Sequence, residues 1–396
     1  MNQPERLVLF AMRSDGMAYT NAIQEAMQKQ AMLRRQPLTV NLELLPVCNL
    51  DCKMCYVRTS AAQVERMGGL KSVNEWLAFA KQLREAGTMF LLLTGGEVFL
   101  YPGLKQLYTK LCEMGFSITI NTNATLIDEE AIQWLREYPP RCVSVSLYGA
   151  SEETYERLCG AKGMFERVKH AIILLAQNHI RYELKTVFTP LNINDLAHCC
   201  AIGRNLGVLH ETGFYSFPPA RRNDKAEQIR FSPCEVVEHS FERMRLYYPD
   251  EEFKAEIMKH RKKYEETKDT PGADIYGFTC SACNSACWIT WQGRMTPCAL
   301  LPEPYTLPFE QGFMKAWEEL KQTCDRILMS PQCSHCDKRG VCLVCPAANY
   351  AETGRFDKAS PFHCEMTRKQ LDEMEKMVEG WSVDARQTEK TEGEAL

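Results

Sequence analysis

The sequence predicts an α/β fold, a partial (β/α)6 barrel of TIM type followed by a small cysteine-rich domain. Two observations carry this. Between residues 39 and 217, short stretches of strand-like alternation take turns with helix-length amphipathic segments, the mark of a parallel sheet with crossover helices. Beyond them, ten of the nineteen cysteines crowd between Cys280 and Cys364, among Gly and Pro and without long periodicity. A segment of that kind is held mainly by metal rather than by an apolar core.

In chain order, residues 15–35 carry Ala18, Ile23, Ala26, Met27 and Met32 at helical spacing, an amphipathic helix for packing on the barrel. Val40, Leu42 and Leu44 then alternate with Asn41 and Glu43 in a strand over Thr39–Leu45. Further strands are predicted at Met89–Leu93, Ser117–Asn121, Cys142–Leu147, Tyr182–Thr189 and Gly213–Phe217, with helices near 72–86, 103–114, 128–137, 151–179 and 193–206. Six strands and their helices make the partial barrel, whose chemistry belongs on the loops at the strands' C-terminal ends. Residues 230–270 are charge-rich and read as a helical bridge, helical spacing returns over Glu365–Met377, and Asp384–Leu396 is polar and reads as disordered. The resulting domains are an N-terminal extension 1–38, the barrel 39–230, a bridge 231–279, the cysteine domain 280–375 and a tail 376–396.

A net charge of −4 carries no polyelectrolyte signature, so nucleic acid is not an implied partner. Arg221-Arg222 and Lys259–Lys263 sit beside acidic residues and read as solvated faces. The apolar stretch Leu7–Ala11 is far short of a secretory core, and no run approaches a membrane span. Without a secretion signal, this many cysteines point to metal in a reducing cytoplasm rather than to disulfides.

The first motif is Cys48-Asn49-Leu50-Asp51-Cys52-Lys53-Met54-Cys55, directly after the first strand and before Tyr56. Electron-transfer clusters take four thiolates, so three at this spacing suggest a cubane whose fourth iron is open. Zinc would want a fourth Cys or His nearby, and none lies within the next forty-odd residues. Here the chain resembles the radical S-adenosylmethionine (radical SAM) enzymes, in which the cofactor's amino and carboxylate groups chelate that iron. Thr94-Gly95-Gly96-Glu97 resembles their Gly-Gly-Glu motif, with Val98 where relatives often carry Pro. The resemblance implies cofactor contacts for Tyr56, Gly95, Gly96 and Glu97, for Asn121 and Asn123 at the third strand end, and for Ser146 at the fourth. It also implies that Arg157 pairs with the cofactor carboxylate, to which an arginine fork is suited. A reduced cubane would donate one electron to the sulfonium, giving a 5′-deoxyadenosyl radical that takes a hydrogen atom from substrate.

The second motif is Cys283-x9-Gly293-x4-Cys298, then Cys333-x2-Cys336-x5-Cys342-x2-Cys345, then Cys364. Paired C-x2-C units also bind zinc in small domains. The whole pattern resembles the SPASM extension of peptide-modifying radical enzymes, except that two residues rather than three precede Cys345. Mapped residue by residue, the resemblance implies one auxiliary 4Fe–4S cluster on Cys280, Cys283, Cys298 and Cys345. A second would lie on Cys333, Cys336, Cys342 and Cys364, giving three clusters in all. Cys287 competes with Cys280 as a ligand. Cys112, Cys142, Cys159, Cys199, Cys200, Cys234 and Cys324 read as core or surface residues, since free cysteine packs as a small hydrophobe.

The activity so implied is hydrogen abstraction from a peptide, with a thioether or carbon–carbon crosslink as product and a flavodoxin- or ferredoxin-type electron donor. Rivals are a sulfatase-maturing, formylglycine-forming enzyme, a radical SAM enzyme acting on a small molecule, and a zinc-stabilised binding protein. The span before Cys48 is too short for a winged-helix leader-binding domain, so leader capture falls to a separate protein, to another surface, or to none. No catalytic base can be named. Tyr148, Lys185 and Tyr215 lie near predicted strand ends, positions that could face substrate, and read first as core or rim residues.

Overall fold

The computed structural model describes residues 22–218, 229–270 and 272–393. Expectations for residues 1–21, for Arg221-Arg222 and for the last three residues fall outside them. The strands β1 (Thr39–Glu43), β2 (Phe90–Thr94), β3 (Ser117–Thr122), β4 (Cys142–Ser146), β5 (Tyr182–Val187) and β6 (His210–Gly213) form a parallel array in the order 6-5-4-3-2-1. This is the α/β partial barrel the sequence predicts. Alternation sets the faces. Val40, Leu42, Leu91, Leu93, Ile118 and Ile120 are essentially fully buried, while Asn41, Thr119, Asn121, Ser146, Glu183 and Lys185 fall on the opposite, polar face.

Helices occupy the expected crossovers, with one break. Ser72 and Glu75 form a capping box that starts the helix Val73–Glu85, whose Trp76, Phe79 and Leu83 are buried. The predicted helix 151–179 is instead two, Glu152–Cys159 and Met164–Gln177. Gly160 and Gly163 stand at φ +67° and +72°, left-handed conformations that end one helix and precede the next. The sixth strand also corrects the prediction: it ends at Gly213, and Tyr215–Phe217 form its exit rather than its body.

The chain divides into two compact units, cut differently from the predicted domains. The first comprises the barrel together with residues 276–327. Two further strands there, β7 (Ala286–Ile289) and β8 (Met295–Thr296), extend the same sheet, β7 pairing in parallel with β1 and β8 antiparallel with β7. The first half of the predicted cysteine domain is thus built onto the barrel sheet. The second unit comprises residues 231–275 and 328–396. Its helices Pro233–Tyr247 and Asp250–Thr267, predicted as a bridge, pack with the long helix Pro361–Gly393. That helix continues past Met377 through most of the tail predicted as disordered. The tail's Glu, Lys, Arg and Gln content favours helix. Among the described residues no helix is long and apolar enough to cross a membrane.

Candidate cofactor site at the strand ends

The cysteine loop is suspended from two neighbours. The backbone N–H groups of Asp51 and Lys53 donate to the carbonyls of Cys159 and Leu158 (2.8 and 3.0 Å), the free C-terminal acceptors of helix Glu152–Cys159. On the other side, Gly96 N–H donates to Leu45 O (2.7 Å) and Glu97 N–H to Val47 O (2.9 Å). A Cβ on Gly95 would strike the Leu45 carbonyl, and one on Gly96 the carbonyls of Val47 and Pro46. The glycines are therefore required first by the close approach of the two strand exits.

Glu97 is fully buried. Its carboxylate accepts from Thr122 Oγ1 (2.7 Å), Asn123 N–H (2.8 Å) and Phe99 N–H (3.0 Å). Burial pushes its pKa up, and these three donors oppose that rise. The side chain fastens the end of β2 to the end of β3. Asn123 is held by Thr125, whose N–H and hydroxyl donate to its Oδ1, and its own Nδ2 reaches Asn49 Oδ1 (3.0 Å) and Cys48 Sγ (3.7 Å).

These elements enclose one cavity of about 340 Å³ at the C-terminal ends of the strands. Cys48, Cys52, Cys55, Tyr56, Gly95, Gly96, Asn121, Asn123 and Ser146 all line it. Tyr56 and Phe217, both on its lining, have ring centroids 5.7 Å apart. Asn121 Oδ1 and Ser216 Oγ are buried without a hydrogen-bond partner, although buried polar atoms are ordinarily satisfied. Burial pushes the Cys48 thiol up to about 12. Three thiols around a cavity with orphaned polar groups on its wall fit a cluster and a polar, amino-acid-like cofactor.

Two predicted residues stand elsewhere. Glu97 spends its carboxylate inside the fold. Arg157 is outside the lining, its Nε and Nη2 donating to Leu191 O (2.9 and 2.7 Å) and its Nη1 near Glu153 (3.4 Å). It secures the turn after β5. Tyr148, Lys185 and Tyr215, read from sequence as core or rim, do line the cavity, as do Ser216 and Phe217. Starting β6 three residues earlier would have added Ser216 and Phe217 to Tyr215, since strand exits build barrel sites. Lys185 sits 3.1 Å from Glu211 and 3.4 Å from Glu183. Burial pulls its pKa down, but the two carboxylates outweigh burial and raise it. Held as a cation, Lys185 is no general base near neutrality.

The ten C-terminal cysteines separate between the units. Cys280, Cys283, Cys287, Cys298 and Cys324 belong to the first, and Cys333, Cys336, Cys342, Cys345 and Cys364 to the second. In the second, Cys342 and Cys345 pack against the small buried cluster that contains Cys333. Among the described residues no three Cys, His, Asp or Glu converge as a single-ion site, whereas a cubane needs thiols spread around a volume.

Residues 42–199 match the family described as the Radical SAM superfamily. Over 343 residues the chain is 25% identical to the AdoMet-dependent heme synthase of Methanosarcina barkeri, covering 82% of this chain and 96% of that protein. It is 29% identical over 173 residues to the subtilosin biosynthesis protein AlbA of Bacillus subtilis, 43% of this chain and 38% of that one. The fold is shared with Streptococcus suis SuiB bound to its precursor peptide SuiA, at TM-score 0.62 and 16% identity over 86% of this chain and 79% of that one.

Proposed function

From the premise that residues 42–199 form a radical SAM domain, we propose that the protein is a radical SAM enzyme that modifies a peptide, forming a thioether or carbon–carbon crosslink. The observation that carries the chemistry is the meeting of Cys48, Cys52 and Cys55 in one cavity with the orphaned Asn121 Oδ1. Cys48, Cys52 and Cys55 would hold a 4Fe–4S cluster there with S-adenosylmethionine beside it, and together these would supply radical chemistry able to take a hydrogen atom from substrate.

The chain's own residues prepare that event. The three thiols must lose their protons to bind iron, and with Cys48 near 12 cluster loading releases protons and is favoured by rising pH. Asn123 directs an amide N–H at Cys48 Sγ, a contact that tunes a cluster's potential. Asn121, Ser146 and Ser216 offer the polar groups for the cofactor. Tyr56 and Phe217, in ring contact on the cavity lining, give it an aromatic surface beside the polar groups. Two auxiliary clusters on the second cysteine array and a flavodoxin- or ferredoxin-type donor complete the electron path in this reading.

The peptide substrate is supported by AlbA among the relatives and by the shared fold of SuiB, whose structure holds a precursor peptide. A second reading, a tetrapyrrole substrate, is favoured by the match along nearly the whole length of a heme synthase. The test is 5′-deoxyadenosine formation by anaerobically reconstituted protein with dithionite and S-adenosylmethionine, alone and with a Cys-containing peptide or iron–coproporphyrin. Stimulation and a mass change in the peptide support the first reading, and in the porphyrin the second. No nucleoside under any condition overturns both.

A further inference from the structure

The interior of this barrel is not packed shut. In a closed (β/α)8 barrel, bulky branched side chains fill the core, whereas the inward face here carries Asn41, Thr119, Asn121, Glu183 and Lys185, all half-buried. Below the cofactor cavity lies a second one of about 280 Å³, toward the N-terminal ends of β1 to β5. Asn121 and Lys185 line both cavities. The two therefore meet along the inner face of the sheet.

The lower cavity carries two arginines on its lining. Arg141 immediately precedes β4 and Arg181 immediately precedes β5. These strands are parallel neighbours, with Val143 opposite Tyr182 and Val143 N–H donating to Arg181 O (2.9 Å), so the two side chains spring from backbones about 5 Å apart. Arg141 is fixed at both ends: its N–H donates to Ile118 O (2.7 Å), and its guanidinium carbon lies 5.0 Å from the ring centroid of Phe90 on β2, a cation–π contact that orients the fork. Burial and the Arg181 charge together lower the Arg141 pKa, and Glu183 on the same lining opposes them more weakly. Lys185, the third cation there, already stands between Glu183 and Glu211 (3.4 and 3.1 Å). Two guanidinium groups facing one space repel each other, and an anion placed between them recovers that cost.

We propose that Arg141 and Arg181 bind a carboxylate of the substrate at the N-terminal end of the barrel interior, with the rest of the substrate lying along the inner face toward the cysteine loop. The inference rests on the proposed function and adds how the substrate is oriented within it. β4 runs from one end to the other: at roughly 3.3 Å per residue, Arg141 and Ser146 stand ~17 Å apart, the reach of about five extended peptide residues. A substrate held in this way carries its carboxylate remote from the reacting carbon, and binding energy gained there is spent on placing that carbon. An acidic residue or free C-terminus of a peptide supplies such a group, and so does a propionate of a tetrapyrrole. An arginine fork donates to either in the same bidentate manner.

The test reads binding rather than turnover, on the full chain reconstituted anaerobically, with S-adenosylmethionine and no reductant. One pair of probes is iron–coproporphyrin and its methyl ester; the other is a short labelled Cys-containing peptide ending in free glutamate and the same peptide ending in glutamine amide. In one pair, masking the carboxylate should weaken binding to the unaltered chain by ~100-fold, about 10-fold for each charge-assisted contact. The double variant Arg141→Gln, Arg181→Gln should weaken the free acid equally and leave the masked probe's affinity where it was. Arg141→Lys should recover part of the loss, because it keeps a charge and lacks the fork. A carboxylate effect in the porphyrin pair assigns the anchored group to a propionate, and in the peptide pair to an acidic peptide. Equal affinity for free and masked probes in both pairs, no binding of either free acid, or a folded double variant that binds the free acid as tightly as the unaltered chain would each overturn the assignment. The masked-probe comparison needs no substitution and decides the matter even where a variant fails to fold. Nucleoside formation by the unaltered chain with dithionite reads the proposed function separately: its absence overturns that reading, whereas carboxylate-dependent binding reports on the arginine pair alone.

Discussion

The two cysteine-bearing regions differ in what holds them before metal arrives. Around Cys48–Cys55, hydrogen bonds from the strand exits and from the end of helix Glu152–Cys159 fix the loop, and the sheet beneath it has a large apolar core. Around Cys333–Cys345, the backbone bonds are local turns, such as Cys333 N–H to Ser330 O and Cys342 N–H to Lys338 O (both 2.9 Å). The buried cluster there is Met329, Cys333, Val344 and Ala348. In the first region the fold itself fixes the cysteine loop; in the second, little besides local turns and one small apolar cluster holds the chain, so the proposed metal would be part of its fold.

The sharpest test of that contrast is replacement of Cys48, Cys52 and Cys55 together by Ala. Nucleoside formation should fall to the uncatalysed background while the far-ultraviolet spectrum and the iron of the C-terminal array persist. Retained cleavage would remove the triplet from the site. Stripping iron from the whole protein with a chelator should open residues 328–360 to proteases while leaving 39–213 intact, because metal binding in small modules is folding free energy on the order of 10 kcal/mol. Equal protection of both regions would break the comparison.

The helices of the second unit carry a pH signature of their own. Burial lowers the His260 pKa from 6.5 to about 4, with Lys263 and Lys259 adding to the shift and Glu256 opposing it. A depressed histidine stabilises while neutral, so its contribution is complete above pH 6.5 and is lost as pH falls toward 4. The loss should reach about 3 kcal/mol, and urea titrations of His260→Gln across that window should flatten it. On the barrel side, Glu97→Gln keeps the shape but replaces one accepting oxygen with a donor facing Thr122 or an N–H group. A cost of about 2 kcal/mol is expected, read as a lower urea midpoint, with cavity residues unchanged.

How much of this was legible depends on which forces act locally. Val40, Leu42 and Leu44 announced β1, and Ser72 with Glu75 announced the start of a helix, because periodicity and capping are written in adjacent residues. The cavity residues Cys48 to Ser146 were legible through motif spacing and strand ends. Arg157 was not, since its partner is the carbonyl of Leu191, a backbone atom that leaves no trace in residue identity. Gly160 and Gly163 could have signalled the helix break, but the apolar spacing on both sides ran through them. The division of cysteines between units was hidden because β7 reaches its partner across most of the chain.

That last pairing also governs the order in which the molecule can be finished. Asn41 Nδ2 donates to Cys287 O across 246 positions of sequence (3.0 Å), so during synthesis β1 waits with one edge bare until β7 emerges. Closing so long a loop is slow compared with forming neighbouring contacts, and an uncovered edge invites pairing with other chains. A fragment stopped near residue 230 would keep every residue of the cofactor cavity and yet leave the ribosome with its sheet open, an aggregating product rather than a minimal enzyme.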